Sequence, residues 1–132
     1  MTDLLTPDLL TAARAAAAAA YVPYSCFRVG AAVLADGQIY TGCNVENASF
    51  GLTICAERNA IFAAIAAGHR RIDALALACV DAAPDAAPGS LMPCGACRQV
   101  MAEFASPSLP VLIDRFGATT LDSLLPNAFR LT

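Results

Sequence analysis

Residues 55–80 read CAERNAIFAAIAAGHRRIDALALACV, and two periodicities follow one another within them. In the first half Ile61, Phe62 and Ile65 recur at helical spacing, and the pattern stops at Gly68, a residue suited to a left-handed helix end. In the second half Ile72–Val80 is almost continuously apolar, as a strand covered on both faces must be. A helix that feeds a buried strand predicts an α/β protein. Upstream, Asp36-Gly37 is a hairpin turn between strands Val29–Leu34 and Ile39–Cys43, and the polar run Asn44–Gly51 is a loop. Further upstream, Thr6-Pro7-Asp8 predicts a helix start, with Thr6 as cap and Pro7 at the first helical position. That helix is expected to reach about Ala20 and to stop near Val22-Pro23. Downstream come a loop over Asp81–Gly89, a helix from about Gly95 to Phe104, a strand at Val111–Ile113 and a last helical turn or two over Thr120–Leu125. The order α-β-β-α-β-α-β-α predicts a three-layer α/β/α sandwich around a mixed sheet of about five strands. A hairpin opens the sheet, and parallel neighbours are expected at the helical crossovers. No internal repeat or linker divides residues 1–132, so a single domain is expected.

Composition narrows the chemistry. The chain has 132 residues, is 58% hydrophobic and only 14% charged, which excludes disorder. Ala supplies 30 residues, and all eight basic residues are Arg. The lack of Lys removes Schiff-base and P-loop lysine chemistry, and a single His leaves little for Ser/His/Asp schemes. A net charge of −3 with no basic run fits nucleic acid poorly, so no nucleic-acid partner is expected. Met1-Thr2-Asp3 lacks the positive region of an export signal, and the apolar run Ala15–Ala20 is too short for a bilayer. No membrane partner is expected. Six Cys with a Cys-x-x-Cys pair suit metal or redox work in a reducing compartment, so a cytoplasmic location is expected.

Two short motifs carry chemistry. Cys55-Ala56-Glu57 opens one helix, and Pro93-Cys94-Gly95-Ala96-Cys97 opens another. The Cys-x-x-Cys pair alone suits a redox dithiol, half of a structural zinc site, or a chance spacing. Together the motifs offer three thiolates and a carboxylate near two helix starts. A structural zinc site closes all four positions with protein ligands, whereas three Cys leave one position open for catalysis. Glu57, two residues past Cys55, is close enough to serve as acid/base without being a ligand. Zinc with three thiolates carries net −1, so offsetting positive charge is needed. The two helix N-termini, Arg58 and Arg98 are the candidates, the arginines as hydrogen-bond donors to sulfur.

The pattern resembles that of zinc deaminases, with Cys55 where many have His. Further stretches extend the likeness to the small cytidine deaminases: Tyr21-Val-Pro-Tyr24-Ser25, Phe27-Arg-Val-Gly30, Asn44-Val45-Glu46-Asn47, Cys94-Gly-Ala-Cys97-Arg98-Gln99 and Leu124-Leu125-Pro126-Asn-Ala-Phe129. The resemblance implies one zinc ion per chain on Cys55, Cys94 and Cys97, with Glu57 as proton shuttle. It implies that Asn44 and Glu46 bond the sugar hydroxyls, that Phe27 lies beside the pyrimidine, and that the backbone N–H of Ala56 faces the ring carbonyl. It also implies a homotetramer in which Phe129 reaches a neighbouring subunit's site. The activity implied is hydrolytic deamination of cytidine and deoxycytidine in pyrimidine salvage, with a small nucleoside as partner. Two positions depart from the family pattern: Phe50 replaces a usual Tyr, and Met92 replaces a small hydroxyl residue.

Two other readings compete. One is a related aminonucleoside deaminase of the blasticidin type, against which Phe27, Asn44 and Glu46 argue. The other is a non-catalytic zinc or thiol redox protein, which leaves Glu57 unused. As a fourth ligand, His69 would have to act from the far end of a helix roughly 20 Å long. Elsewhere, Cys26, Cys43 and Cys79 read as small hydrophobes without chemistry. His69 reads as solvated at a helix end, and Arg70-Arg71 as surface charge.

Overall fold

The computed structural model describes residues 2–132, with side chains from Asp8 onward. The first helix, α1, spans Thr2–Ala16 and passes into a 3₁₀ turn over Ala17–Ala19. It therefore opens ahead of the expected Thr6 cap, and Thr6 and Pro7 lie within it. The good helix formers Leu4 and Leu5 extend it upstream. Strands β1 (Val29–Ala35) and β2 (Gln38–Cys43) form the expected hairpin. Asp36 and Gly37 both take positive φ, 52° and 79°, as a type I′ turn requires.

Helix α2 covers Ala56–Ala66, with Cys55 at its N-cap. Its C-terminus is closed by two reaching bonds, Gly68 N–H to Ile65 O at 3.0 Å and His69 N–H to Ala64 O at 3.1 Å. That is a Schellman closure, and it places Gly68 at φ 105°. Strand β3 (Ala74–Cys79) follows, shorter at both ends than its apolar run. Helix α3 spans Gly95–Phe104, β4 spans Pro110–Ile113, β5 spans Gly117–Thr120 and α4 spans Leu121–Leu124. Strand β5, part of the expected strand count, has no named stretch in the sequence reading. Gly-Ala-Thr-Thr is short and weakly apolar, and it gains its conformation by pairing with β4 at the sheet edge.

The strand order is β2-β1-β3-β4-β5. Among these five strands only β3 and β4 pair in parallel, across the α3 crossover. The α2 crossover does not join neighbours, because β1 lies between β2 and β3 and runs antiparallel to both. Alternation along β3 builds the layers. Ala74, Ala76 and Ala78 face α1 beside Leu9 and Ala13, while Leu75, Leu77 and Cys79 face α2 and α3 beside Ile61 and Met101. Gly42 on β2 permits a close approach to α2: a Cβ there would sit 2.7 Å from Ala56 O and press on the backbone of Asn59 and Ala60. The first turn of α2 is thereby seated against the end of β2. Asn59 fastens it, donating Nδ2 to Cys43 O at 2.8 Å. Among the described residues no helix is long and apolar enough to cross a membrane.

Candidate metal centre and its cavity

Cys55 and Cys94 are each the N-cap of a helix, α2 and α3, and neither side chain caps its own backbone. Both sulfurs are therefore free to face each other. The Sγ atoms of Cys55, Cys94 and Cys97 all lie within 4.8 Å of one another. Cys55 to Cys94 is 3.8 Å, and Cys94 to Cys97 is 3.4 Å. Sulfurs at about 2.3 Å from a tetrahedral zinc stand roughly 3.8 Å apart, so the donor set and its spacing fit zinc with one position left open.

The electrostatics of the cluster suit a cation. A hydrogen bond from Cys97 holds the Cys55 thiol down to about 5, assisted by Arg58. Cys97 is pushed upward for the complementary reason, since it supplies the proton that Cys55 receives. Arg58 donates Nη2 to Cys55 Sγ at 3.5 Å. Its Nε is buried and has no partner among the described residues. Arg98 does not join it, contrary to expectation. Its Nε donates to Pro93 O at 2.8 Å and its Nη1 to Leu124 O at 2.7 Å. The helix carries Arg98 around to tie the entry of α3 to the end of α4.

Glu57 is in the first turn of α2 and only 4% exposed. Burial raises its carboxyl to about 7, a value matched to taking up and giving back a proton near neutrality. It lines a cavity of about 190 Å³ together with Cys55, Ala56, Cys94, Phe27 and Asn44. Asn44 is tied to the start of β1 on both sides of its amide. Its Oδ1 accepts from Val29 N–H at 2.9 Å, and its Nδ2 donates to Phe27 O at 2.9 Å. Glu46 lines an adjoining depression of about 360 Å³ with Tyr24 and Phe50; Thr53 borders both hollows. Its Oε1 accepts from the backbone N–H groups of Tyr24 and Ser25 at 3.0 and 3.1 Å. Hydrogen bonding from Ser25, and then Tyr24, keeps this carboxylate below its ordinary range. Isolated bridges hold Val45 to Tyr21 on one side and Ile54 on the other. Asn44 and Glu46 thus flank the bridged Val45 but line different hollows.

Phe129 is not brought to this cavity. It is 70% exposed and borders a different hollow, with Gln99 Nε2 donating to its carbonyl at 2.9 Å. Phe50 packs edge-on against Tyr24, with ring centroids 6.1 Å apart. Cys79, read as a plain core residue, lines the cavity beside Leu77, and burial raises its thiol to about 11. Its place was accessible from alternation, since it follows Leu77 by two at the end of β3. Ser90, in a 3₁₀ turn over Pro88–Leu91, and Met92, a departure from the family pattern, also line the cavity. His69 is half-buried rather than solvated, with Nε2 2.9 Å from the Tyr40 hydroxyl.

Comparison with known proteins agrees with this geometry. Residues 6–113 match the family model described as the cytidine and deoxycytidylate deaminase zinc-binding region. A cytidine deaminase of Sporosarcina psychrophila is 47% identical over 126 residues, 92% of this chain and 88% of the relative. One from Mycobacterium tuberculosis is 52% identical over 118 residues, 88% of this chain and 83% of the relative. The crystal structure of the cytidine deaminase from Burkholderia pseudomallei superposes with a TM-score of 0.80 at 47% identity, covering 92% of this chain and 97% of that one. The matched region contains all three clustered thiols and Glu57, and the chain belongs to the cytidine and deoxycytidylate deaminase family.

Proposed function

We propose that the protein hydrolyses cytidine and deoxycytidine to uridine and deoxyuridine, releasing ammonia. The observation that carries this reading is the buried Glu57 in one cavity with Cys55, Cys94, Phe27 and Asn44. When bound by Cys55, Cys94 and Cys97, zinc supplies a Lewis acid that lowers the pKa of water towards neutrality. Glu57 takes a proton from the water that adds to C4 of the ring and delivers it to N3. A second transfer through Glu57 protonates the departing amino group, so water is consumed and ammonia leaves. Phe27 flanks the pyrimidine, and the Ala56 N–H is directed to the ring carbonyl. Asn44, with its amide plane fixed by β1, and Glu46, with Oε1 fixed by Tyr24 and Ser25, receive the sugar hydroxyls. A site built this way rejects analogues that leave its polar groups unpaired. The substrate named for the two similar proteins above favours cytidine over a blasticidin-type aminonucleoside.

In the same reading the enzyme works in pyrimidine salvage in the cytoplasm, where six unpaired thiols stay reduced. It works as a homotetramer, in which the exposed Phe129 of one subunit completes the site of another. Zinc-loaded protein incubated with cytidine is expected to form uridine. Glu57→Ala is expected to lose activity by at least about a hundredfold while keeping its zinc; uridine formation at the original rate in that variant would overturn the assignment. Phe129→Ala is expected to raise KM for cytidine without changing zinc content. Full activity in Phe129→Ala, or in a monomer by sedimentation, would remove the shared-site part of the reading.

A further inference from the structure

Phe27, Arg28 and Val29 lead into β1, and their backbone is held by side chains from elsewhere. Phe27 N–H donates to Ser25 Oγ at 3.0 Å, and Phe27 O accepts from Asn44 Nδ2 at 2.9 Å. Arg28 N–H donates to Asp81 Oδ2 at 2.8 Å, and Val29 N–H donates to Asn44 Oδ1 at 2.9 Å. Side chains alternate along this segment. Phe27 and Val29 line the cavity, whereas Arg28 reaches Asp81. Its Nε meets Oδ2 at 2.9 Å and its Nη2 meets Oδ1 at 2.8 Å. Asp81 thus accepts three N–H groups from a single residue, one of the backbone and a fork from the side chain.

Asp81 stands two residues beyond Cys79, which pairs with Val29 in the sheet and lines the same cavity. Arg115 grips that turn a second time. Its Nη2 donates to Cys79 O at 3.2 Å and Ala82 O at 2.9 Å, and its Nη1 to Ala83 O at 3.2 Å. The Arg28 and Asp81 side chains remain 49% and 25% exposed, and exposed ion pairs add little to stability. A forked pair of this kind does, however, fix orientation.

We propose that Asp81 is a positioning residue for the substrate base. Through Arg28 it holds the Phe27 wall of the cavity in place just outside the β1–β3 ladder, whose own pairing fixes Val29 against Cys79. This rests on the deaminase reading above.

Steady-state kinetics on zinc-loaded Asp81→Ala, Arg28→Ala and the double variant test it. Asp81→Ala is expected to raise KM for cytidine about tenfold with kcat within about twofold. Zinc content should not change. Because the two residues act as a unit, the double variant should be no worse than either single one. Arg28→Lys keeps the charge but not the fork, and should fall between. An unchanged KM in Asp81→Ala, or fully additive losses in the double variant, would overturn the proposal. If the unaltered enzyme forms no uridine, the deaminase reading fails, and hydrogen exchange then decides on the wall itself. Faster exchange at the Phe27 amide in Asp81→Ala, beyond the Arg28 amide that loses its own acceptor, supports the proposal. Faster exchange at Arg28 alone overturns it.

Discussion

At the residue scale, Arg58 is the side chain whose task is most specific. It follows Glu57 directly, donates to Cys55 and carries a buried Nε. Removing it leaves the thiolate cluster with less positive charge around it. Arg58→Ala is expected to lower turnover or zinc affinity about tenfold, the scale typical of groups that support metal ligands. Turnover and metal titration both equal to the unaltered protein would refute this role. The sequence singled out the three Cys, Glu57 and Arg58 by identity and spacing, and the fold brings them together. It paired Arg98 with sulfur on adjacency alone. Neighbours along a helix point about 100° apart, and Arg98 turns to the carbonyls of Pro93 and Leu124 instead.

At the scale of elements, the reactive groups are set by how closely α2 lies on β2. Gly42 makes that distance possible, and Asn59 fastens it. Gly42→Ala forces a methyl group against the backbone of α2 and should cost about 1–3 kcal/mol. Because the push is delivered at the first turn of α2, activity should fall alongside the thermal midpoint. A variant of lowered midpoint but full kcat/KM would show that α2 moves without carrying Glu57. The helices and the hairpin were legible from period and turn residues, although α1 opens ahead of its expected Thr6 cap. The edge strand β5 was not, since four small or hydroxylated residues have no strand pattern until β4 is beside them. The antiparallel pairing of β1 with β3 was also hidden. Which strands become neighbours depends on the packing of distant segments.

At the scale of the whole molecule, the sandwich holds α1 on one face of the sheet and α2 with α3 on the other. The metal centre lies between two helices of the same layer. A ligand bound only by the folded chain stabilises it by mass action. Stripping zinc with a chelator is therefore expected to lower the thermal midpoint by several degrees and to expose the amides at the starts of α2 and α3 to exchange first. An unshifted midpoint on metal removal would show that the thiol cluster bears no structural load. Cys55 and Cys94 occupy the N-caps of those helices, so a single ion bound to both would tie the two helix starts together. Glu57 rides in the first turn of one of them. Loss of any one of the three thiols would then loosen a helix start and shift Glu57 with it. Metal retention and the order of these two helix starts would then rise and fall together.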